Sequence, residues 1–177
     1  MQDNPFYNYY AKELGKWEDF AETHQLQFKD REVSEYGLKF VLEGKMLALP
    51  FSFSCQIRYN NASNDIIPVR SRIFGSGKIA LSDSDQPLFY MYNKPNYWKR
   101  RKAKRKNLVG EPMGTYTLFS KRSTQLTEAE NMALSHYKVK KLEADEKETE
   151  IKVFKHLDPS ELKRLLELYT LLKEKTS

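Results

Sequence analysis

Between Leu47 and Tyr59 every second residue is apolar: Leu47, Leu49, Phe51, Phe53, Cys55, Ile57 and Tyr59, separated by Ala48, Pro50, Ser52, Ser54, Gln56 and Arg58. An extended backbone throws alternate side chains to opposite faces. This stretch is therefore a strand with one face on a core and the other toward solvent or a thin cover. Pro50 has no amide hydrogen, so the strand is expected to bend, bulge or lie at an edge there. Upstream, Leu38, Phe40 and Leu42 alternate in the same way, and Glu43-Gly44-Lys45 reads as the turn between the two strands. Downstream, Asn60 to Asp65 is a polar loop. Strands are expected from Ile66 to Phe74 and from Lys78 to Leu81, joined by Gly75-Ser76-Gly77 as a hairpin turn. The apolar runs Leu88 to Tyr92 and Thr115 to Phe119 continue an antiparallel meander.

Helical spacing appears at both ends. Asn4-Pro5 pairs a cap residue with a first-turn proline, and Tyr10, Leu14, Trp17 and Ala21 then form a stripe, predicting a helix from Pro5 to His24. Thr127 with Glu130 has capping-box spacing and opens a short helix through Met132 and Ala133. Tyr137, Val139 and Lys141 against Thr149, Ile151 and Val153 suggest a hairpin with the charged run Glu143 to Glu148 at its tip; a longer helix reaching Leu142 is the alternative. Asp158-Pro159 with Glu161 opens a last helix whose stripe is Leu162, Leu165, Leu166, Tyr169 and Leu172, ending near Lys173–Lys175.

This order is α+β: a mainly antiparallel sheet with N- and C-terminal helices packed on one face. An alternating parallel architecture lacks the helices it needs between Leu38 and Phe119. Residues 1–177 read as a single domain, with 93–112 a long basic loop inserted in it.

The charge defines that insertion. The chain holds 30 Lys and Arg against 24 Asp and Glu, a net charge of +6. Lys94, Lys99, Arg100, Arg101, Lys102, Lys104, Arg105 and Lys106 fall between Gln86 and Gly110 with no acid among them, leaving 22 bases against 24 acids elsewhere. From Lys99 to Lys106 only Ala103 is uncharged, and like charges so close repel, which predicts an extended, mobile loop. A polyanion would relieve the repulsion and release its own counterions. Tyr92, Tyr97 and Trp98 beside the charges suit stacking on bases. An anionic membrane surface is the alternative partner, as are an acidic protein and, in a eukaryote, the machinery that reads a basic nuclear address. A plain solvated loop is the reading without function. Nucleic acid, RNA or DNA, is favoured.

Other classes have less behind them. No stretch has the ~18 apolar residues of a membrane span, and residues 1–20 lack the short apolar core of a signal peptide, so the expectation is a cytoplasmic protein. Cys55 is the lone cysteine; it cannot form an internal disulfide, and its place in the alternation makes it a buried hydrophobe. Glu43 and Lys45 after an apolar strand, with Asp30, Glu13 and Glu18 as further acids, are similar to the arrangement in metal-dependent nucleases of the restriction-endonuclease type, where strand carboxylates hold Mg²⁺ and a lysine activates water. Gly44 at the centre of that motif favours a solvated turn instead. His24, His136 and His156 are scattered, without a second ligand at metal-binding spacing. Gly75-Ser76-Gly77 lacks the downstream helix of a phosphate loop. Phe51, Phe53, Tyr59, Phe89 and Tyr90 read as core rather than as a ligand pocket. The five acids from Glu143 to Glu150 read as a solvated tip, placed to fold back on the basic run as a self-inhibitory contact. No catalytic residue, metal or cofactor is assigned. The reading is a non-catalytic binding module for a polyanionic partner, with a Glu43/Lys45 nuclease and a scaffolding protein as alternatives.

Overall fold

Helix α1, Pro5–His24, buries Tyr10, Leu14, Trp17 and Ala21, the stripe expected from the spacing. It stops in a Schellman turn: Gln25 takes φ 56°, and the amides of Gln25 and Leu26 donate to the carbonyls of Glu22 and Ala21. The computed structural model describes residues 5–60, 72–85 and 87–177; the proposed Asn4 cap, the loop from residue 61 and the strand segment 66–71 lie outside them. The elements that follow α1 are β1 (Gln27–Ser34), β2 (Gly37–Met46), β3 (Leu49–Asn60), β4 (Arg72–Leu81), β5 (Phe89–Asn93), α2 (Tyr97–Arg105), β6 (Val109–Met113), β7 (Tyr116–Ser120), α3 (Glu128–His136), β8 (Val139–Ala144), β9 (Thr149–Val153) and α4 (Pro159–Thr176).

The nine strands make one sheet in the order β1-β2-β3-β4-β9-β8-β5-β7-β6, and every pairing is antiparallel. The chain is α+β, with its N- and C-terminal helices on one face of an antiparallel sheet. The topology is not a simple meander, because the β8–β9 hairpin inserts between β4 and β5. Both capping boxes form, at Thr127/Glu130 and Asp158/Glu161, and the stretch from Tyr137 is a hairpin rather than a long helix.

One face of the sheet carries α1, α3 and α4 over a single core that includes Phe40, Phe53, Phe89, Ile151, Leu166 and Tyr169. Among the described residues the opposite face carries only α2, over a second cluster of Tyr90, Tyr92, Ala103, Leu108 and Phe119. Tyr90 and Phe89 are neighbours on β5, so the strand alternation itself divides the two clusters.

Four expectations are corrected. The turn at Glu43-Gly44-Lys45 does not exist: β2 runs through it, and the chain reverses at Leu47 and Ala48, with φ of 52° and 63°. Two successive left-handed residues make a tight hairpin whose twist matches the strands, usually with Asn or Gly rather than these side chains. Leu47 therefore belongs to the turn, half-exposed, and not to the alternating face. Gly44 has a packing reason instead, since a Cβ there would sit 2.4 Å from the Leu26 side chain. Likewise Gly75-Ser76-Gly77 lies inside β4, where a Cβ on Gly75 would meet the His156 backbone at 2.2 Å. Strand β1 is an addition: it is mostly exposed and polar, so it carries no alternation to find. The last correction is the basic run, which is helix α2.

Pro50 lies in β3, between β2 and β4. Its carbonyl accepts from Ser82, just past the end of β4, so the missing amide costs only half of the last rung, and the strand neither bulges nor lies at an edge there.

Candidate functional site

Helix α2 forms where charge repulsion predicts an extended loop, and its caps explain the boundaries. The Asn96 side chain accepts from the Lys99 amide at 3.1 Å, an N-cap directly after Pro95. At the other end Asn107 takes φ 56°, with its amide on the Lys104 carbonyl and the Leu108 amide on the Ala103 carbonyl. This Schellman turn has its hydrophobic contact too, as Ala103 and Leu108 share the second cluster. Lys102, Lys104 and Arg105 occupy the last turn, where cations favour the helix dipole.

The helix sorts the run Lys99–Lys106 onto two faces. Ala103 is buried, and Lys99, Lys102 and Lys106, at helical spacing around it, face the sheet. Lys99 Nζ lies 5.0 Å from the ring centre of Tyr92 and Lys102 Nζ 4.9 Å from that of Tyr90. Lys102 also reaches Glu143 at 2.9 Å, and Lys106 reaches Asp145 at 3.5 Å and Glu146 at 3.8 Å. The other side of the helix carries Arg100, Arg101, Lys104 and Arg105, all exposed. Tyr97 and Trp98 join them at 66% and 68% exposure, and Arg101 lies 5.8 Å over the Trp98 ring.

Beneath α2 lies a carboxylate network. Glu143 accepts from Tyr92 Oη at 2.5 Å, Lys102 at 2.9 Å and Lys141 at 3.1 Å, and Asp145 accepts from Tyr90 Oη at 2.9 Å. Glu150 pairs with Lys78 at 2.5 Å and Lys141 at 2.6 Å. Burial alone would raise the pKa of Glu143, but the hydrogen bonds from Tyr92, Lys102 and Lys141 outweigh it and hold the carboxyl below its usual range. Burial acts the same way on Glu150, and Lys141 and Lys78 bring it down to about 2. For Tyr92, burial and then the Glu143 hydrogen bond push the phenol well above its ordinary value.

These ion pairs predict an acid limit. A carboxyl whose folded pKa is depressed adds stability that is complete above its unfolded value and lost as pH falls through its folded one. For Glu150 that window runs from 4.5 down to about 2. The melting temperature followed by circular dichroism is therefore expected to fall steadily below pH ~4.5. In Glu150→Gln the slope of that fall becomes shallower; an unchanged slope refutes the assignment.

Each sequence-derived candidate now has a place. Arg100, Arg101, Lys104, Arg105, Tyr97 and Trp98 share one exposed face. Lys102 and Lys106 are paired by the protein's own acids, so the mobile arm is replaced by a docked helix, and the acidic tip does fold back on it. Tyr92 is fully buried with its hydroxyl on Glu143 and has no free ring face for a base. Lys94 and Lys99 line a separate cleft. The nuclease set is divided by the sheet: Glu13 is buried on α1 beside Lys16, while Glu43 points from the opposite face and pairs with Lys29 and Ser52. Glu18 pairs with Arg31. Among the described residues no three His, Cys, Asp or Glu gather as a metal site. His24 ends α1 against Phe20, and the buried Cys55 thiol is pushed up to about 12, first by burial. Among the described residues no helix is long and apolar enough to cross a membrane.

No protein-family model matches the chain, and no match was found among curated proteins or among solved structures.

Proposed function

We propose that this protein is a binding module that engages single-stranded nucleic acid through the outer face of α2. The observation that carries the reading is the sorting of the basic run: lysines are turned inward to partners, while three arginines and Lys104 are turned outward with Tyr97 and Trp98. A lysine ammonium is a compact charge that snorkels past an aromatic ring to a carboxylate, whereas the arginine fork matches two phosphate oxygens at once. Exposed Tyr97 and Trp98 offer rings on which bases stack.

A rigid face suits this role better than a floppy arm. Holding the cations in one helical frame before binding removes the entropy cost of ordering them. The apolar side of α2 is spent on the sheet, so the helix has no face left to insert among lipid chains, which favours nucleic acid over a membrane surface.

The test is fluorescence anisotropy of a labelled single-stranded oligonucleotide over a salt series. With Arg100, Arg101, Lys104 and Arg105 all changed to Gln, affinity near 50 mM salt is expected to fall at least ~10-fold, and the salt slope to drop by ~3, since each lost phosphate contact removes ~0.7. Trp98→Ala is expected to weaken binding while leaving the salt slope alone. Oligonucleotide binding that survives the four-fold change removes the proposal. So does binding confined to vesicles of anionic lipid.

A further inference from the structure

At the foot of α2 the chain leaves β5, enters β8 and leaves β9 around a cleft of about 470 Å³. Its walls include Lys94, Lys99, Lys138, Lys140, Asn93 and Phe154, and no carboxylate is among its lining residues. None of the four lysines makes an ion pair with a carboxylate among the described residues. The neighbouring cleft under α2 is the opposite case, since Lys102, Lys106 and Lys141 there are all matched by Glu143, Asp145, Glu146 and Glu150. The protein thus holds one cleft whose lysines are neutralised and another whose four ammonium groups make no direct ion pair.

The backbone holds those lysines in place. Lys94 takes φ 46° and Lys138 takes φ 48°, the latter as the residue that closes α3. The β8–β9 register shifts between Val139 and Lys141, so Lys140 is the extra residue of a bulge, a device that re-aims a side chain. Its Nζ lies 4.6 Å over the ring of Phe154, which is 58% exposed at the end of β9. Like-charge crowding is costly, and Lys99 shows it: burial first, and then Lys140, lower its pKa, against a smaller opposing pull from Glu143. A dianion among the four removes that cost. Asn93 adds a side-chain oxygen that is buried with no hydrogen-bond partner among the described residues, and a half-turn of the amide exchanges it for a donor. The cleft falls in the ~300–1,000 Å³ range of small-ligand sites.

We infer that this cleft is a nucleotide site: the phosphate sits among Lys94, Lys99, Lys138 and Lys140, and the base lies against Phe154. It is separate from the outer face of α2 and stands whether or not that face binds a strand. The chemistry is a phosphate monoester joined to a flat ring, which a free mononucleotide and the phosphorylated end of a strand both supply.

Isothermal titration calorimetry at low salt with AMP, adenosine and inorganic phosphate tests it. AMP is expected to bind more tightly than phosphate, with no measurable heat from adenosine. Lys138→Gln combined with Lys140→Gln, both at exposed positions, is expected to weaken AMP at least ~10-fold, equivalent to ~1.4 kcal/mol. Phe154→Ala is expected to bring AMP down to the level of phosphate. Arg101→Gln with Arg105→Gln leaves AMP unchanged, which keeps this result apart from failure of the α2 reading. Competition then identifies the source: a 5′-phosphorylated oligonucleotide that displaces AMP better than its 5′-hydroxyl counterpart points to a strand end, and failure of the phosphorylated strand to displace AMP points to the free nucleotide. AMP binding no stronger than adenosine, or unchanged by the two lysine substitutions in a variant that melts like wild type, overturns the inference.

Discussion

Replacing Trp17 by alanine is expected to lower the unfolding free energy by about 3–5 kcal/mol, the range for truncating a large aromatic in a closed core. Trp17 is fully buried, and its ring lies 5.2 Å from Phe40, 5.1 Å from Phe53 and 5.9 Å from Phe20. It is thus the residue through which α1 grips β2 and β3 at once. Neighbouring aromatic rings cannot collapse into the space of an indole without leaving their rotamers, so most of the cavity persists. Urea denaturation followed by far-ultraviolet circular dichroism measures the loss as a lower midpoint. Trp17→Phe keeps part of the ring contact and is expected to cost less than half as much. A loss below ~1 kcal/mol for the alanine variant would mean that α1 is not packed on the sheet as described. Fluorescence supplies a check, because Trp98 is the only other tryptophan and is exposed. The alanine variant should emit as a solvated indole before any denaturant is added.

What the sequence made legible follows from how local each signal is. The β3 alternation, the α1 and α4 stripes and the two capping boxes all write their information within a turn or a few strand residues, and all of them are in the structure. The glycines misled because their reason is tertiary. Gly44 and Gly75 leave room for Leu26 and for the His156 backbone, which come from distant elements, whereas the actual reversal at Leu47 and Ala48 uses residues that do not advertise a turn. Strand β1 escaped because an exposed edge strand needs no apolar face.

The basic run shows the same limit in its electrostatics. Repulsion among its cations is real, but the acids that relieve it stand about 40 residues later, on the β8–β9 hairpin, and only the insertion of that hairpin beside β5 brings them under α2. One local signal was present: Asn96 and Asn107 bracket a ten-residue segment, with a helix-starting cap at one end and a residue tolerant of the left-handed turn at the other. The division into inward Lys99, Lys102 and Lys106 and outward Arg100, Arg101, Lys104 and Arg105 also becomes visible once helical periodicity is applied to the run. The lysine cleft had no such signature. Lys94, Lys99, Lys138 and Lys140 come from separate parts of the chain, and the bulge that turns Lys140 is a property of strand pairing.

Glu143→Ala is expected to release α2 from the sheet. The carboxylate takes three donors, Tyr92 Oη, Lys102 and Lys141, and its side chain is 17% exposed. Removing one partner of such a set leaves the others desolvated without a charge to meet, which in a fully buried pair costs about 3–5 kcal/mol. Two features reduce that here. The Lys102 head is 45% exposed and turns to water, and Lys141 keeps Glu150 at 2.6 Å. The buried Tyr92 hydroxyl has neither escape, so the net loss is about 2–3 kcal/mol. It falls mainly on α2, which apart from Lys106 on Asp145 and the lysines over Tyr90 and Tyr92 has only the small Tyr90, Tyr92, Ala103, Leu108 and Phe119 cluster to hold it, while the other helices share the large core. The basic helix supplies its own reporter, since trypsin cuts after Lys and Arg once the backbone opens. When opening and closing are fast relative to cleavage, the rate follows the open population, so cutting within Lys99–Lys106 is expected to accelerate ~30-fold or more in Glu143→Ala. Glu143→Gln keeps an acceptor for Tyr92 while dropping the charge and should fall between the two. Tyr92→Phe separates the contributions further: it removes a hydroxyl together with its need for a partner, and is expected to cost less than Glu143→Ala. Cleavage at the wild-type rate in Glu143→Ala would show that the apolar cluster alone docks the helix and that the lysine–carboxylate pairs merely lie alongside it.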